Sequence, residues 1–214
     1  MSAAYPPAGV PMQDMAQLWA GAVLMLSVVL LFLTRISPMI RILSWQALGL
    51  AAAAGWQGWA RGERAFVVIA LVVLAAKAAG LPMLLRRAVG VWPGDGEGET
   101  IGGIATAMAG VGLVALAALV VLPATVGLGW GVREALAIAL SVLLLGLWIV
   151  ATRRRVLPRL VGCVCAQNGC FLAVLAAGDA STTLGLALME LVVVAGGLLG
   201  VGVFAAGRVR WGWR

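Results

Sequence analysis

Seven stretches of this sequence are long and apolar enough to cross a bilayer, and they constrain the fold more than any other feature. A helix needs roughly 20 apolar residues to span the hydrocarbon. The runs are Leu18–Leu33, Ile40–Ala60, Ala65–Leu85, Ile101–Val126, Ala135–Ala151, Leu160–Gly178 and Leu184–Ala206. They are unbroken and rich in Ala and Leu, whereas a membrane barrel shows alternating segments of about ten residues. The expected fold class is all-α: a polytopic membrane protein with seven transmembrane helices, forming a single membrane domain over residues 1–214. Composition excludes the soluble alternative. Charged residues make up 11% of the chain and apolar ones 63%, against about 25% charged in a soluble domain. A soluble domain of this size buries only about 70% of its surface, too little to hide that much apolar side chain.

The same composition limits the chemistry. There is no His, which removes the commonest metal ligand and the commonest acid–base group. Three Cys, an odd number, do not make a disulfide scaffold. Cys163, Cys165 and Cys170 fall in one apolar run and read as small packing residues rather than a metal or cluster site. No catalytic residue, cofactor or metal is expected, and the chain is not expected to be an enzyme.

The net charge of +7 does not indicate nucleic acid, because the cations lie between spans. With the N-terminus outside, the inner loops carry Arg35, Arg41, Arg86, Arg87, Arg153, Arg154, Arg155, Arg159, Arg208, Arg210 and Arg214, and the outer loops only Arg61, Arg64 and Arg133. Eleven against three places the C-terminus in the cytoplasm. Trp19, Trp56, Trp59 and Trp130 fall near the outer boundary and Trp45, Trp148, Trp211 and Trp213 near the inner one, as interfacial anchors do. The first run reads as a retained helix, since nothing basic precedes it and no convincing cleavage site follows. A bacterial inner membrane is the expected location. The acidic segment Gly94–Glu99 reads as a solvated loop rather than a cation site, and the arm bearing Pro6, Pro7 and Pro11 as extended chain.

Two ionisable residues remain inside the spans: Lys77 and Glu190. Each costs about 2.5–3.5 kcal/mol to insert, so each needs a partner or a role. Lys77 lies in Ala75-Ala76-Lys77-Ala78-Ala79-Gly80-Leu81-Pro82, too deep for snorkelling to reach either end. Its small neighbours predict a closely packed helix face, and Pro82 predicts a loosened helix beside the charge. Glu190 is followed by Gly196, Gly197, Gly200 and Gly202, which allow another helix to approach. Three amides join them: Gln46, Gln167 and Asn168. The competing reading is structural: Lys77 and Glu190 form an ion pair, or pair with neighbouring subunits, fixing helix register, and the amides bond helix to helix.

The two halves share a pattern. Thr34-Arg35, Pro38, Arg41 and Gln46 precede the body of the second span; Thr152-Arg153, Pro158-Arg159 and Gln167 precede the body of the sixth. A helix with one buried charge follows each. Residues 17–88 and 130–206 thus read as two three-helix repeats in the same orientation, joined by a linking helix at 101–126.

These residues carry a family resemblance. Gly162-Cys163-Val164-Cys165-Ala166-Gln167-Asn168-Gly169 resembles the acidic-Asn-Gly motif of the hydrogenase-4 component E family. Lys77 with Leu81-Pro82 resembles its buried Lys and following Pro. Ser44-Trp45-Gln46-Ala47-Leu48 resembles its Gln-bearing second helix, and Met189-Glu190-Leu191 an acidic position in its last. The order and spacing cover most of the chain. The resemblance implies a non-catalytic membrane subunit of a complex I-like assembly, as in formate hydrogenlyases and energy-converting hydrogenases. It is related to the K-type subunit of complex I and the C-type subunit of Mrp antiporters. Its implied partners are antiporter-like and other membrane subunits in a hetero-oligomer within the lipid bilayer. Lys77, Glu190, Gln46, Gln167 and Asn168 would line a proton or sodium path. Gln167 stands where the family has Glu, and an amide cannot exchange protons at neutral pH. The second half is then structural, or Glu190 carries its whole titratable role. A scaffold subunit and a stand-alone secondary transporter are the other readings open to the sequence.

Overall fold

A computed structural model describes residues 12–91 and 103–211. The proline-bearing arm, the acidic segment Gly94–Glu99, Trp213 and Arg214 lie outside the described residues. Among the described residues seven helices follow one another: α1 (Met12–Phe32), α2 (Ile36–Arg61), α3 (residues 64–91), α4 (Gly103–Ala124), α5 (Trp130–Thr152), α6 (Val156–Ala177) and α7 (Ala180–Trp211). Helix α3 begins as Arg64–Val73, passes through a π-helical segment Leu74–Gly80 and continues as Leu81–Val91. There is no strand among the described residues.

Six of these helices are long and apolar enough to cross a membrane, so the chain is an all-helical, multi-pass membrane protein. The seventh, α2, is long enough at 26 residues but more polar, because it carries Ser37, Arg41, Ser44, Gln46 and Gln57. It is also held on several sides, by α1, α3 and α6. Gln46 is fully buried, so part of what lowers the helix's hydropathy is turned into the bundle.

The connections follow from local chemistry. Arg35 and Arg155 precede α2 and α6 in extended backbone, at φ −95°, ψ 142° and φ −83°, ψ 149°. Pro38 and Pro158 then occupy the first turn of each helix, where a missing N–H leaves no intrahelical bond unmade. Both helices end on a left-handed glycine, Gly62 at φ 68° and Gly178 at φ 77°, a conformation that a Cβ disfavours.

Helices α1, α2, α5 and α6 form the centre, with α3 and α7 on one flank and α4 on the other. The closest approach is α5 to α6. A methyl group on Gly146 would lie 2.2 Å from the Ala166 nitrogen, and one on Gly169 would lie 2.5 Å from the Leu143 nitrogen. Only hydrogen fits there, so the two backbones touch.

Polar side chains tie the helix ends together. At one end Arg61 donates to the Gly178 carbonyl (3.2 Å), Gln57 to Leu175 (3.2 Å) and Gln17 to Gly131 (3.1 Å). At the other, Arg153 corrects the sequence reading, which set it among solvated loop cations. It is 1% exposed and folds inward, donating through Nη2 to the carbonyls of Leu31 (3.0 Å) and Leu33 (2.7 Å). These carbonyls are at the end of α1 and lack intrahelical partners, and the dipole there favours a cation.

A buried polar chain as candidate functional site

Lys77 and Glu190 meet. Lys77 Nζ lies 3.0 Å from Glu190 Oε2, and the two residues are 1% and 3% exposed. Lys77 comes from the π-helical segment of α3, and the cause lies in the sequence. Pro82 has no N–H for the carbonyl of Ala78 one turn earlier, and its ring crowds that carbonyl. The helix answers by widening just before the proline, with the Leu81 amide bonding back to the Ala76 carbonyl, five residues away. Short π segments inside α-helices are frequent at functional positions. Gly80 sits beside Val194 of α7, whose Cγ1 would lie 2.7 Å from a methyl group placed there. The small residues around Lys77 thus let α7 come close enough for Glu190 to reach it.

The pair does not stand alone. Lys77 also donates a short hydrogen bond to Asn168 Oδ1 of α6. Asn168 Nδ2 donates to Gln46 Oε1 of α2 at 3.0 Å, and Gln46 Nε2 to Ser27 Oγ of α1 at 2.8 Å. Ser27 in turn donates to the Val23 carbonyl at 2.8 Å. The result is a buried chain, Glu190–Lys77–Asn168–Gln46–Ser27, that crosses five helices with every donor from Lys77 onward pointing toward α1. An unpaired polar group at this depth would cost a few kcal/mol; the chain gives each member a partner. The Phe171 ring adds a face to the ammonium, its centroid 5.5 Å from Nζ, within cation–π range.

Four of the five residues singled out from the sequence therefore converge: Lys77, Glu190, Gln46 and Asn168. Gln167 does not. It is half-buried and takes no part in the chain, because successive residues on a helix point about 100° apart and Asn168 holds the inward face. Three further residues belong to the site: Ser27, Phe171 and Cys165. The Cys165 thiol is buried, 3.9 Å from Gln46 Nε2 and 3.9 Å from the Val142 carbonyl, so it packs beside the chain more than it extends it. Cys165, Asn168 and Phe171 recur at three-residue steps along α6, a helical stripe visible in the sequence once one member is known to face inward.

No known family profile matches the chain, and no solved structure matches it significantly. A curated relative does. The uncharacterized protein Rv0085 of Mycobacterium tuberculosis (strain ATCC 25618 / H37Rv) is 30% identical over 152 residues, covering 70% of this chain and 69% of that protein. At that identity and coverage of both sequences, the chain belongs to the same family as Rv0085.

Proposed function

We propose that this chain is a non-catalytic, seven-span membrane subunit of a complex I-like, redox-driven ion-pumping assembly of the hydrogenase-4 or formate hydrogenlyase type. In this reading α2 spans as well, the N-terminus faces outward and the C-terminus the cytoplasm of a bacterial inner membrane. Electron transfer belongs to partner subunits, with antiporter-like subunits as membrane neighbours. The matching turns before α2 and α6, and the matching glycine stops after them, support two three-helix repeats on either side of α4.

The observation that carries the proposal is the buried ion pair set at the end of an oriented amide and hydroxyl chain. Two ionised groups together cost about 5–7 kcal/mol to bring into a bilayer on insertion scales. Apolar residues of similar volume would hold the same helices at no such cost. Asn168 and Gln46 exchange no protons at neutral pH; their part is to hold the ammonium in place and in register. Lys77 and Glu190 are the titratable members, and a proton or cation passing beside them changes which partner Lys77 satisfies. The π-helical turn gives Lys77 the local freedom for that exchange, since its backbone bonds are already displaced from the α-helical pattern.

The test is Lys77→Met and Lys77→Ala in the assembled complex. Coupled ion pumping is expected to fall while the subunit remains at normal abundance. Persistence of pumping and coupled activity in both variants would sink the relay.

A second reading has its own support: Lys77 is fully satisfied within this chain, as a structural tie between α3, α6 and α7 would be. In that case neutralising Lys77 or Glu190 depletes the subunit from the complex rather than uncoupling it.

A further inference from the structure

At the bundle end opposite Gly62 and Gly178, the start of α2 and the last turns of α3 enclose a groove about 550 Å³ in volume. Its lining is Ser37, Pro38, Ile40, Arg41, Arg86 and Val89. Arg41 and Arg86 come from different helices, are exposed, and have no ion-pair partner among the described residues. Two guanidiniums thus face one concavity with no carboxylate among the described residues to neutralise them, while Pro38, Ile40 and Val89 give it an apolar wall.

Depth decides what fits. Arg41 stands five residues beyond Ile36, about 8 Å along the helix axis. The headgroup layer is about 5–8 Å thick on each side of the hydrocarbon. With the start of α2 at the water face of that layer, Arg41 falls at the level where lipid phosphates meet the glycerol and first methylenes. We infer that this groove is a binding site for an anionic phospholipid, its phosphate held between Arg41 and Arg86 with the Ser37 hydroxyl beside it, and its glycerol and upper acyl carbons against the apolar wall. Guanidinium pairs bind phosphate oxygens through several N–H donors at once, and basic pockets between spanning helices are an established form of lipid headgroup site. A zwitterionic headgroup fits less well, because it brings its own ammonium against two cations. The inference is independent of the ion-relay proposal, since it needs only that the bundle sits in a membrane.

The experiment is native mass spectrometry of the full-length protein released from nanodiscs of phosphatidylcholine mixed with phosphatidylglycerol. Wild type is expected to retain phosphatidylglycerol in preference to phosphatidylcholine. Arg41→Gln/Arg86→Gln is expected to lose that preference, with apparent affinity down roughly thirtyfold at about 1 kcal/mol per arginine. Arg87→Gln, an exposed neighbour outside the groove, is expected to keep it. Equal retention of the two lipids by wild type would overturn the inference, as would equal losses in the double variant and Arg87→Gln, which would mean diffuse surface charge. Binding of inorganic phosphate to lipid-free protein as tightly as the phospholipid would overturn it too, by making the groove a soluble-anion site.

Discussion

Two helix pairs in this molecule are held together by opposite means. Along α5 and α6, Gly146, Gly162 and Gly169 bring backbone against backbone, with the Ile149 and Val150 side chains also against Gly162 and no charge at the contact. Between α3 and α7 the contact is an ion pair, Lys77 to Glu190, set in a helix that has left α-helical geometry. The first is a seam that either fits or does not, because backbone atoms cannot rotate out of the way. The second can change partners, because Lys77 has both a carboxylate and an amide oxygen within reach. The chain thus puts its rigidity on one side of Asn168 and its adjustable chemistry on the other. Asn168 and Gly169 are neighbours on α6, so the seam fixes the amide against which the lysine is held.

The largest expected effect comes from the adjustable side. Glu190→Leu leaves Lys77 buried with only Asn168 to satisfy it, and breaking one half of a buried pair costs about 3–5 kcal/mol. The midpoint of unfolding in a denaturant titration of the purified protein should fall accordingly. Lys77→Met/Glu190→Leu should recover most of the loss, since an apolar pair of similar volume is often neutral. A single variant as stable as wild type would show that α3 and α7 are not held by the pair at all.

The seam comes next. Gly169→Ala drives a methyl group into the Leu143 backbone, and overpacking of this kind costs about 1–3 kcal/mol. Gly196→Ala on α7 is the control, because nothing lies within 4 Å of the added carbon. It should be neutral or stabilising by up to about 1 kcal/mol through helix propensity. Equal responses at the two glycines in the same titration would remove the evidence that the α5–α6 seam is more tightly packed than α7.

How much of this was legible in the sequence differs residue by residue. The helices were, because long apolar runs have one solution in a bilayer. Their ends were not: α5 starts at Trp130 and α7 at Ala180, ahead of the apolar runs, because helices continue into the headgroup layer until a cap or a turn stops them. Lys77 and Glu190 stood out as charges with no water nearby, but sequence carries no register between helices this far apart, so their contact needed coordinates. The choice between Gln167 and Asn168 was beyond reach as well: both are amides, and only the rotational phase of α6 separates them. Pro82 announced a weakened helix, and the widened turn just before it is the form that weakening takes. Arg153 was misplaced because counting loop cations treats it like Arg154, whereas the carbonyls ending α1 select it.

A smaller effect tests whether the amides contribute to the buried polar chain. Gln46→Leu removes the acceptor for Asn168 and the donor to Ser27, leaving buried polar atoms unsatisfied at roughly 1–2 kcal/mol. Gln167→Leu should change stability by less than about 0.5 kcal/mol, since that amide takes no part in the buried polar chain and makes no hydrogen bond among the described residues. Thermal unfolding in one detergent distinguishes them, and equal shifts would mean that the contacts seen at Gln46 contribute nothing.

The smallest effect lies outside the bilayer and concerns how α7 is started. Asp179 stands just before α7 and accepts from the Ser181 amide (3.0 Å), the Ser181 hydroxyl (2.7 Å) and the Thr182 hydroxyl. The hydroxyl of Thr182, then that of Ser181, favour its ionised form and lower its pKa from 3.8 to about 2. A carboxylate whose folded pKa is depressed contributes fully above its unfolded value and loses that contribution as pH falls through the folded one. Stability should therefore be flat above about pH 4 and decline between there and pH 2, and Asp179→Asn should flatten that acid limb. The group is fully exposed, so the change is small. It is best read by hydrogen exchange of the α7 first-turn amides rather than by global unfolding. Exchange there that ignores both pH and Asp179→Asn would show that Asp179 does not start α7, and would leave its position to the contacts further along, the Lys77–Glu190 pair and the packing of Gly80 on Val194 among them.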